Sequence, residues 1–595
     1  MLENCIEVFE AYKEKDPSIV LNTYLPADGT YVILQKSPSG YKVREQVTLK
    51  YNKKTGELEG CADENLLHTL CLYDYNSKLV SIQKPIDQKK TIHSNNYLSF
   101  WVKKDSLDGK LTANLIAGYY NVLADPANTK YRGKGTTLNM YQAVESELGA
   151  PNVAELEEIQ NWVMENIYTL SDLGVNTGGK DYLKLFFELS SNAAENEENF
   201  ERENKRYLVP NIYNSNKYTV ALDGETLGVP DNNLGLNDKK PYLMNKTRGV
   251  ETPYLINTEQ VIKQKEFFDY LYNLACMGRV NVYVDCIHNE IYSYPASETP
   301  TEAIQGYYLR VQKGKELEIH DFSVLSGDIV GLDKPFKVYN IIGVDLSKDI
   351  YAKHDYEEKT TKVELENLLN EQLYSKYLKT NYFTNSSDLR FNDTALKRCL
   401  LDSRSKVFNY IYKDIDNGFY KAVSNVAHNL IYTNLSQGYE IKATYLFNMY
   451  YSLLNMVDKK EECYKMAQEL QEMRDALRVK INARETGCIE SDNEYYFGIG
   501  QVVSYLVWLN NSNNKKQDLL NPFIKVSTDK MLRAKLNQLY RGYNFAINNN
   551  NLRFNNLFSM LKLYTPTTKV NHDMIIAGYL HDSLILEKKN KDEDK

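Results

Sequence analysis

The sequence predicts an α+β protein, with an N-terminal mixed α/β region that contains antiparallel strands, followed by a C-terminal all-α helical bundle. Polar and apolar residues alternate over 42–49 (KVREQVTL), which is typical of an antiparallel ribbon. After about residue 385, apolar residues recur every three to four positions instead, as in packed helices. The 595 residues allow roughly two to four domains.

The N-terminal part is predicted to mix helices with strands. In chain order we expect a helix at 1–13, strands and hairpins across 28–120, and helices at 138–170 and 181–190 (DYLKLFFELS). An exposed acidic connector follows at 193–204, then short strands and loops over 207–256 and a helix at 258–277. Further strands are expected at 279–287 (RVNVYVDCI), 306–322 (GYYLRVQKGKELEIHDF) and 337–344 (KVYNIIGV).

The C-terminal part is predicted to be helical with short loops. The expected helices are 394–416, 418–436, 440–457, 459–484, 494–510, 528–547, 553–563 and 572–587. We therefore expect three domains: an α+β domain at 1–190, a middle α+β region at 191–385 with a loop rich in Asn, Gly and Lys, and the helical bundle at 386–595.

Charge is unevenly distributed along the chain. The net charge of −8 argues against a protein that coats nucleic acid unaided, because such proteins are usually basic. Residues 391–595, however, hold 28 Lys+Arg against 23 Asp+Glu, whereas residues 1–390 hold 43 against 56. The 48 tyrosines fit either an AT-rich gene or surfaces that stack on bases. We expect the two parts to do different work.

The cysteines and the apolar stretches indicate a cytoplasmic protein. The eight cysteines form no C-x-x-C pair, so no structural zinc site is expected and the thiols suit a reducing compartment. Residues 1–16 form an amphipathic helix pattern rather than a signal peptide. The longest apolar stretch, 502–509, is too short to span a membrane.

Catalytic motifs are weak, and we expect no enzyme, cofactor or metal. Four histidines precede an aspartate: His320, His354, His572 and His581. A metallohydrolase built on such pairs needs further ligands, and His428 is the other histidine of the bundle. The run Gly133 to Thr137 lacks the glycine spacing of a phosphate loop, and 498–500 (GIG) lies inside a helical pattern.

The first candidate nucleic-acid surface is the basic stretch 513–569. Between 515 and 569 ten Lys or Arg are opposed by Asp518 and Asp529 alone. On the helix 528–547, one narrow face carries Lys530, Arg533, Asn537 and Arg541. Another face, expected to pack into the bundle, carries Met531, Leu532, Leu536, Leu539, Tyr540 and Tyr543. Such a basic face can contact phosphates, or can be an ordinary solvated face.

Two further stretches have a composition suited to nucleic acid. Within 211–248, Gly and Pro fix an irregular backbone, and the candidate contacts are Asn232, Asn233, Asn237, Lys239, Lys240, Lys246 and Arg248. Within 84–104 an aromatic strand is flanked by Lys89, Lys90, Asn95, Asn96, Lys103 and Lys104. A self-capped turn and a lysine-blunted edge hairpin are the respective structural alternatives.

Several stretches together resemble the large subunit of the type I-B CRISPR Cascade complex. They are KKTIHSNNYLSFWVKK (89–104), NNLGLNDKKPYLMNKTRGVETPYLI (232–256), QKEFFDYLYNLACMGRVNVYV (264–284), FGIGQVVSYLVWLNN (497–511), NPFIKVSTDKMLRAKLNQLYRGYNFAI (521–547) and IIAGYLHDSLILEKK (575–589), in the order of the family. Some relatives carry paired cysteines as a zinc ribbon; this chain lacks them, so nothing about zinc is carried over.

The resemblance implies a role in RNA-guided recognition. One copy would sit in a ribonucleoprotein with guide CRISPR RNA and repeated backbone subunits. Its N-terminal part would lie at the 5′ end of the guide and read the protospacer-adjacent motif in double-stranded target DNA, while its bundle holds the displaced strand and the complex recruits a helicase–nuclease.

By residue, the resemblance suggests separate roles for two groups. We expect Asn232, Asn233, Asn237, Lys239 and Lys240 at the motif or its flanking backbone. We expect a DNA strand at Lys530, Arg533, Arg541 and Arg553. It also suggests a free small subunit from an internal start at Met449 or Met456. The alternatives are a scaffold that binds proteins only and a stand-alone phosphohydrolase using His572 or His581.

Overall fold

The computed structural model has a mixed α/β N-terminal region and a helical C-terminal region, which confirms the predicted fold class. It describes residues 1–52, 57–214, 218–231, 255–296, 298–300, 302, 304–314, 316–327, 331–346, 353–458, 462–485, 487–510, 516–548 and 550–587. The chain forms two compact units, Met1–Pro295 with Gln305–Val324, and Ala296–Ile304 with Leu325–Lys595. The predicted division into 1–190, 191–385 and 386–595 stays a prediction.

The first unit combines helices with two larger sheets and a small one. Its helices are α1 Leu2–Lys15, α2 Ile19–Asn22, α3 Glu64–Ser77, α4 Ala113–Ala124, α5 Thr136–Leu148, α6 Val153–Asn166, α7 Ala193–Asn211 and α8 Thr258–Cys276. The strands, which run on to Gly327, are β1 Gly29–Ser37, β2 Gly40–Asn52, β3 Glu57–Glu59, β4 Ser99–Lys103, β5 Tyr182–Glu188, β6 Val220–Leu222, β7 Glu225–Gly228, β8 Ile256–Asn257, β9 Arg279–Asp285, β10 Glu290–Pro295, β11 Ile304–Lys313 and β12 Leu317–Gly327.

Two helices interrupt the region 28–120, for which only strands and hairpins were predicted. Both start at residues that favour helix N-termini. Asp63 accepts hydrogen bonds from the backbone N–H groups of Asn65 and Leu66 at the start of α3. Thr112 accepts one from Leu115 at the start of α4. The capping signals were therefore present in the sequence, and the prediction was wrong for these two segments.

The first sheet has the order β3-β2-β1-β5-β4. β1 and β2 form an antiparallel hairpin, while β5 runs parallel to β1 and antiparallel to β4. The segment 181–190 was predicted as a helix, and this was wrong, because it forms β5. Leu183 to Glu188 are all buried, and a strand covered on both faces shows no polar alternation in its sequence.

The acidic run 193–204 is the start of α7 rather than an exposed connector. Asn192 caps the helix by accepting a hydrogen bond from the N–H of Ala194. Phe200 enters the core of the first sheet, where its ring stacks on Tyr73 with centroids 4.1 Å apart. Glu203 is buried as well, in an ion pair of 2.9 Å with Arg206. The many charged residues on the exposed face of α7 obscure, in the sequence, the helical spacing of the residues on its buried face.

The second sheet has the order β10-β9-β11-β12 and shares a core with α1 and α8. Phe9 of α1 meets Phe267 of α8 with ring centroids 5.4 Å apart. α8 begins with a capping box between Asn257 and Gln260. The helices predicted at 1–13 and 258–277 are both confirmed.

The second unit is built mainly of helices. They are α9 Lys362–Gln372, α10 Thr394–Lys413, α11 Phe419–Gln437, α12 Glu440–Asp458, α13 Glu462–Asn482, α14 Asp492–Trp508, α15 Lys516–Ile524, α16 Asp529–Tyr543, α17 Leu552–Leu563 and α18 His572–Leu580, and the strands are β13 Gly331–Phe336 and β14 Lys359–Thr361. The predicted helices are confirmed within a few residues, except that α18 ends at Leu580 rather than at 587. The helices α9 and α15 were not predicted.

The segment 337–344, predicted as a strand, has no regular structure. Side chains of α12 satisfy its backbone instead of a neighbouring strand. Asn448 accepts hydrogen bonds from the N–H groups of Ile341 and Ile342, both at 3.0 Å, and Ser452 accepts one from Tyr339 at 2.9 Å. The alternation of apolar residues in this segment results from burial against α12 and not from a β-sheet. The strand prediction was therefore wrong.

The glycines at 498–500 mark the place where α14 crosses α18. A Cβ atom on Gly500 would lie 2.2 Å from the carbonyl oxygen of Ile575, and one on Gly578 would lie 2.1 Å from that of Phe497. Both helices therefore approach through backbone rather than through side chains. This is a packing role and not a phosphate loop, as the sequence pattern indicated.

Candidate nucleic-acid interface

The basic helix predicted at 528–547 is α16, with a short 3-10 turn at 544–546 after it. Thr528 caps its first turn by accepting a hydrogen bond from the N–H of Met531. Leu532, Leu536 and Leu539 are buried in the bundle. Met531, which was expected on that apolar face, is exposed instead, because its position on the helix is about 100° away from Leu532. The burial of the three leucines is as predicted.

Lys530 and Arg541 lie on the solvent side of α16. Both are exposed, as is Asn537 between them. At about 100° per residue the three fall within about 40° of one another, opposite the buried leucines. The two cations are separated along the axis by about 16 Å at 1.5 Å per residue. They form a straight basic edge that an extended polyanion can follow.

The charge of this surface is not balanced by acids. Over 519–569 the sequence holds eight Lys or Arg and one acidic residue, Asp529. Asp529 is directed to internal partners, since it accepts hydrogen bonds from Tyr495 at 2.7 Å and from Arg533 at 2.6 Å. Exposed cations on or beside α16 and α17 include Lys525, Lys530, Lys535, Arg541, Lys562 and Lys569. The segment 519–569 is therefore positive although the whole chain is acidic, and one carboxylate from outside it, that of Asp492, lies against its end and accepts a hydrogen bond from Tyr564 at 2.7 Å.

Arg533, expected on the same basic face, is bound within the fold. Its guanidinium group pairs with Asp529 and donates to the carbonyl oxygens of Leu561 and Lys562, both at 3.3 Å, and to that of Tyr564. These carbonyls belong to the C-terminal end of α17, which lacks helical partners for them. Arg533 therefore holds α16 against α17, and the structure does not present it as a free contact.

Arg553 is also half-buried and engaged. It donates to the side-chain oxygen of Asn482 at 2.7 Å and to the carbonyl oxygen of Glu587. These bonds join the start of α17 to the end of α13 and to the segment after α18. Of the four predicted strand-binding residues, Lys530 and Arg541 are thus the two that the structure leaves on an open surface.

The sequence analysis did not single out two of the aromatic side chains that accompany these cations, Phe545 and Phe558. Phe545, just beyond α16, is 83% exposed, an unusual position for a phenyl ring. The rings of Tyr540 and Phe558 stack with centroids 4.5 Å apart, and the ammonium group of Lys562 lies 4.4 Å from the Phe558 centroid. The signal available in the sequence was an aromatic residue among polar neighbours near the end of an amphipathic helix pattern.

The predicted contacts in 89–104 divide into two groups. Lys89, Lys90 and Lys103 are exposed. Asn95, Asn96 and Lys104 are buried: Asn95 donates to the Lys78 carbonyl at 2.8 Å, Asn96 to that of Asn76 at 3.3 Å, and Lys104 pairs with Asp181 at 3.1 Å. The second group was placed wrongly on the surface, because these side chains tie the loop to the core of the first sheet.

The predicted surface within 211–248 has its candidate contacts outside the described residues. It comprises Asn232, Asn233, Asn237, Lys239, Lys240, Lys246 and Arg248. Asp231 and Ile256, which are described on either side of these residues, are hydrogen-bonded to the neighbouring residues Asn214 and Tyr213. Asp231 pairs with Lys84 at 3.0 Å and accepts a hydrogen bond from Asn214 at 3.2 Å, while Tyr213 donates to the carbonyl oxygen of Ile256 at 3.0 Å.

The histidines do not assemble a metal centre in the described part of the chain. His572 contacts the carbonyl oxygen of Val526 at 2.7 Å, whereas its neighbour Asp573 faces His428 at 3.4 Å and accepts a hydrogen bond from Tyr451 at 2.9 Å. His581 is buried near Arg474, and burial lowers its pKa. Among the described residues no group of three or more His, Cys, Asp or Glu side chains could hold a metal ion.

No helix within the described ranges is both long and apolar enough to cross a lipid bilayer. Comparison with protein-family models, with curated proteins and with solved structures found no match to this chain.

Proposed function

We propose that this chain is the non-catalytic large subunit of a type I-B CRISPR RNA-guided surveillance complex. In this role it recognises the protospacer-adjacent motif in target DNA, stabilises the R-loop and supports recruitment of a separate helicase–nuclease in antiviral defence. It acts in the cytoplasm with guide RNA and repeated backbone subunits as partners, and it needs no cofactor of its own.

The observation that carries the proposal is the basic surface of α16 and α17. Lys530 and Arg541 are exposed along one edge of α16, and the single acidic residue of 519–569 is occupied by Arg533 and Tyr495. An acidic protein gains little from such a local excess of positive charge unless it contacts a polyanion there. Phosphate neutralisation supplies most sequence-independent affinity for nucleic acid.

The character of the neighbouring side chains favours an unpaired strand at this surface. The exposed ring of Phe545 lies two positions after the end of α16. Single-strand binding proteins combine a positive surface with aromatic rings on which bases stack, at about 1–3 kcal/mol per base. This agrees with a displaced strand at the bundle, which is what the resemblance to the Cascade large subunit implies.

The overall charge of the chain sets a limit on what it does alone. With a net charge of −8, long-range repulsion opposes the approach of nucleic acid, and local patches act only within about a Debye length, about 8 Å at physiological salt. We therefore expect weak binding by the isolated chain and strong binding within the complex, where the guide RNA supplies the pairing energy.

The test is an affinity purification of the tagged chain from its native host, with sequencing of the co-purified RNA. We expect short RNAs that share one repeat-derived 5′ end, together with repeated backbone subunits. An unrelated tagged protein of the same host serves as the control for background RNA. If neither RNA nor a backbone subunit is enriched over that control, the proposal fails and a protein-binding scaffold becomes the better explanation.

A further inference from the structure

The outermost strand of the second sheet, β12, leaves one of its long sides open. It runs from Leu317 to Gly327, and in the order β10-β9-β11-β12 it is hydrogen-bonded to β11. Within the part of the chain that the structure describes, no strand lies on its other side. Its 11 residues make it about twice as long as a typical strand. We refer to Leu317–Val324, the part of β12 that belongs to the first unit, as the open edge.

Three other edge strands of the described sheets are protected against pairing with a further strand. The opposite edge of the same sheet, β10, has six residues and ends in an irregular register at Tyr294 and Pro295. The edge strands β3 and β6 have three residues each. By contrast, β12 is long and contains neither Pro nor Lys, the residues that commonly block an edge. Its backbone N–H and C=O groups can therefore pair with another extended chain.

Large apolar side chains are exposed along the open edge. Ile319 is 41% exposed, Phe322 59% and Val324 68%. Phe322 and Val324 lie two positions apart, so they project from the same face of the strand. Leu317, at the start of the strand, is buried in the core that the sheet shares with α1 and α8. The open edge is therefore anchored in extended form, and a strand added beside it would remove apolar surface from water.

The charge of the open edge determines which kind of strand fits it. Residues 316–324 hold three acidic residues and no Lys or Arg. Glu316 and Glu318 are exposed, and the Glu318 carboxylate contacts the ring of His320 at 3.1 Å. Cross-strand pairs of opposite charge stabilise a sheet, whereas like charges placed opposite each other destabilise it. A segment that carries Lys or Arg therefore fits the open edge better than a second copy of this acidic strand does.

We propose that the open edge is a protein-docking site, at which an extended segment of a partner polypeptide, with alternating basic and apolar residues, adds as a further strand of the second sheet. Main-chain hydrogen bonds to β12 supply affinity in this mode of recognition, and side-chain contacts supply specificity. The apolar residues of the segment cover Phe322 and Val324, and its basic residues face Glu318. The inference concerns a protein partner and goes beyond the proposed function, because it requires no contact with RNA or DNA.

The first test uses a labelled synthetic peptide of alternating Lys and Val residues as the probe. Its binding to the full chain is measured by fluorescence anisotropy, and amide hydrogen exchange locates the contact. We expect the peptide to bind and to slow exchange at 317–324, because the backbone groups of the open edge become hydrogen-bonded. The same peptide methylated at every backbone nitrogen cannot donate these bonds and should not bind. A peptide with Glu in place of Lys should bind more weakly, because it faces the acidic residues with like charge.

The variant for this test is Phe322→Lys with Val324→Lys. It should weaken binding of the Lys–Val peptide by about tenfold, because apolar cross-strand contacts are lost and positive charge faces positive charge. The matched control is Val220→Lys with Leu222→Lys, an exposed apolar pair of the same spacing on the three-residue edge strand β6. The control adds the same charge to the chain and should bind the peptide as the unaltered chain does. Both pairs are exposed, so we expect the melting temperature to stay unchanged.

The second test identifies the occupant in the native host, by placing the photo-cross-linking residue benzoylphenylalanine at Phe322 of the full chain. We expect cross-links to one segment of one other protein, with alternating basic and apolar residues. Cross-links to another copy of this chain, or to no single segment, overturn the proposed occupant. Absence of peptide binding, or equal weakening by the variant and its control, overturns the open edge as a docking site. These outcomes do not depend on whether guide RNA co-purifies with the chain, so they are distinct from failure of the proposed function.

Discussion

Lys184 lies in the middle of β5 with its ammonium group shielded from solvent. It pairs with the buried carboxylate of Asp74 at 2.5 Å and lies 4.0 Å from the ring centroid of Trp101. Asp74 also accepts a hydrogen bond from Tyr24 at 2.8 Å. Burial lowers the pKa of Lys184, and Asp74 opposes that shift. Each charge in the core of the first sheet therefore depends on the other.

Replacing Lys184 by Met should destabilise the protein by about 3–5 kcal/mol, because Asp74 would be left as an uncompensated buried charge. Chemical denaturation of the purified chain measures the effect. Adding Asp74→Asn to Lys184→Met should recover part of the loss, since the amide oxygen still accepts from Tyr24. Lys42→Met, at an exposed position of β2, should stay within about 0.5 kcal/mol. A double variant as unstable as the single one would contradict this account.

At the residue scale, composition could identify candidate surfaces. It could not distinguish exposed side chains, which can contact a ligand, from side chains that hold parts of the fold together. Lys530 and Arg533 lie three positions apart on one helix, yet Lys530 is exposed while Arg533 binds the end of α17. Lys103 and Lys104 are adjacent, yet Lys104 is buried against Asp181. The difference depends on a partner distant in sequence, Leu561 to Tyr564 in one case and Asp181 in the other. A single sequence does not reveal such partners.

At the scale of the helix, the crossing of α14 and α18 depends on two glycines. Gly500 faces the carbonyl oxygen of Ile575, and Gly578 faces that of Phe497, so each helix lies against the other's backbone. Around this point Gln501 donates to the Gly578 carbonyl at 2.6 Å and accepts from Leu584 at 2.8 Å. The crossing is both tight and hydrogen-bonded, which explains why α18 can be short.

Gly578→Ala should destabilise the protein by about 1–3 kcal/mol or more, because its Cβ atom would meet backbone that cannot move without separating the helices. Gly542→Ala is the matched control, since Gly542 lies in α16 and a Cβ atom there meets nothing within 4 Å. That substitution should stabilise by up to about 1 kcal/mol through helix propensity. Thermal and urea unfolding measure both effects. Equal effects of the two substitutions would argue against close backbone packing.

The elements predicted correctly are those whose own residues carry a clear local pattern. Helices of the second unit show an apolar period and start at capping residues such as Ser491 and Asn551. The strand β5 was predicted as a helix and the segment 337–344 as a strand, and both predictions were wrong for the same reason. Both segments are apolar because other elements cover them. The strand β5 lies in a sheet that is covered on both faces, and 337–344 lies against α12, whose Asn448 and Ser452 side chains accept hydrogen bonds from its backbone. Tertiary burial overrides local pattern in such segments.

At the scale of the molecule, the charges are unevenly distributed along the chain. Residues 391–595 carry a modest positive balance within a chain of net charge −8. The basic surface of α16 and α17 in the second unit has an exposed aromatic ring, Phe545. This combination fits the proposed contact between the bundle and an unpaired strand.

The proposed strand-binding role predicts that charge removal on α16 weakens binding of an unpaired strand specifically. Lys530→Gln with Arg541→Gln should lower the affinity of the full chain for single-stranded DNA and reduce the slope of log K against log salt by about 1.4, because two phosphate contacts are lost. The control pair is Arg390→Gln with Lys421→Gln, one exposed Arg and one exposed Lys elsewhere in the second unit. It removes the same charge and should leave the slope unchanged. If both pairs reduce the slope equally, binding follows total charge rather than this surface. If neither does, the basic edge of α16 is a solvated face, and the unpaired strand lies elsewhere.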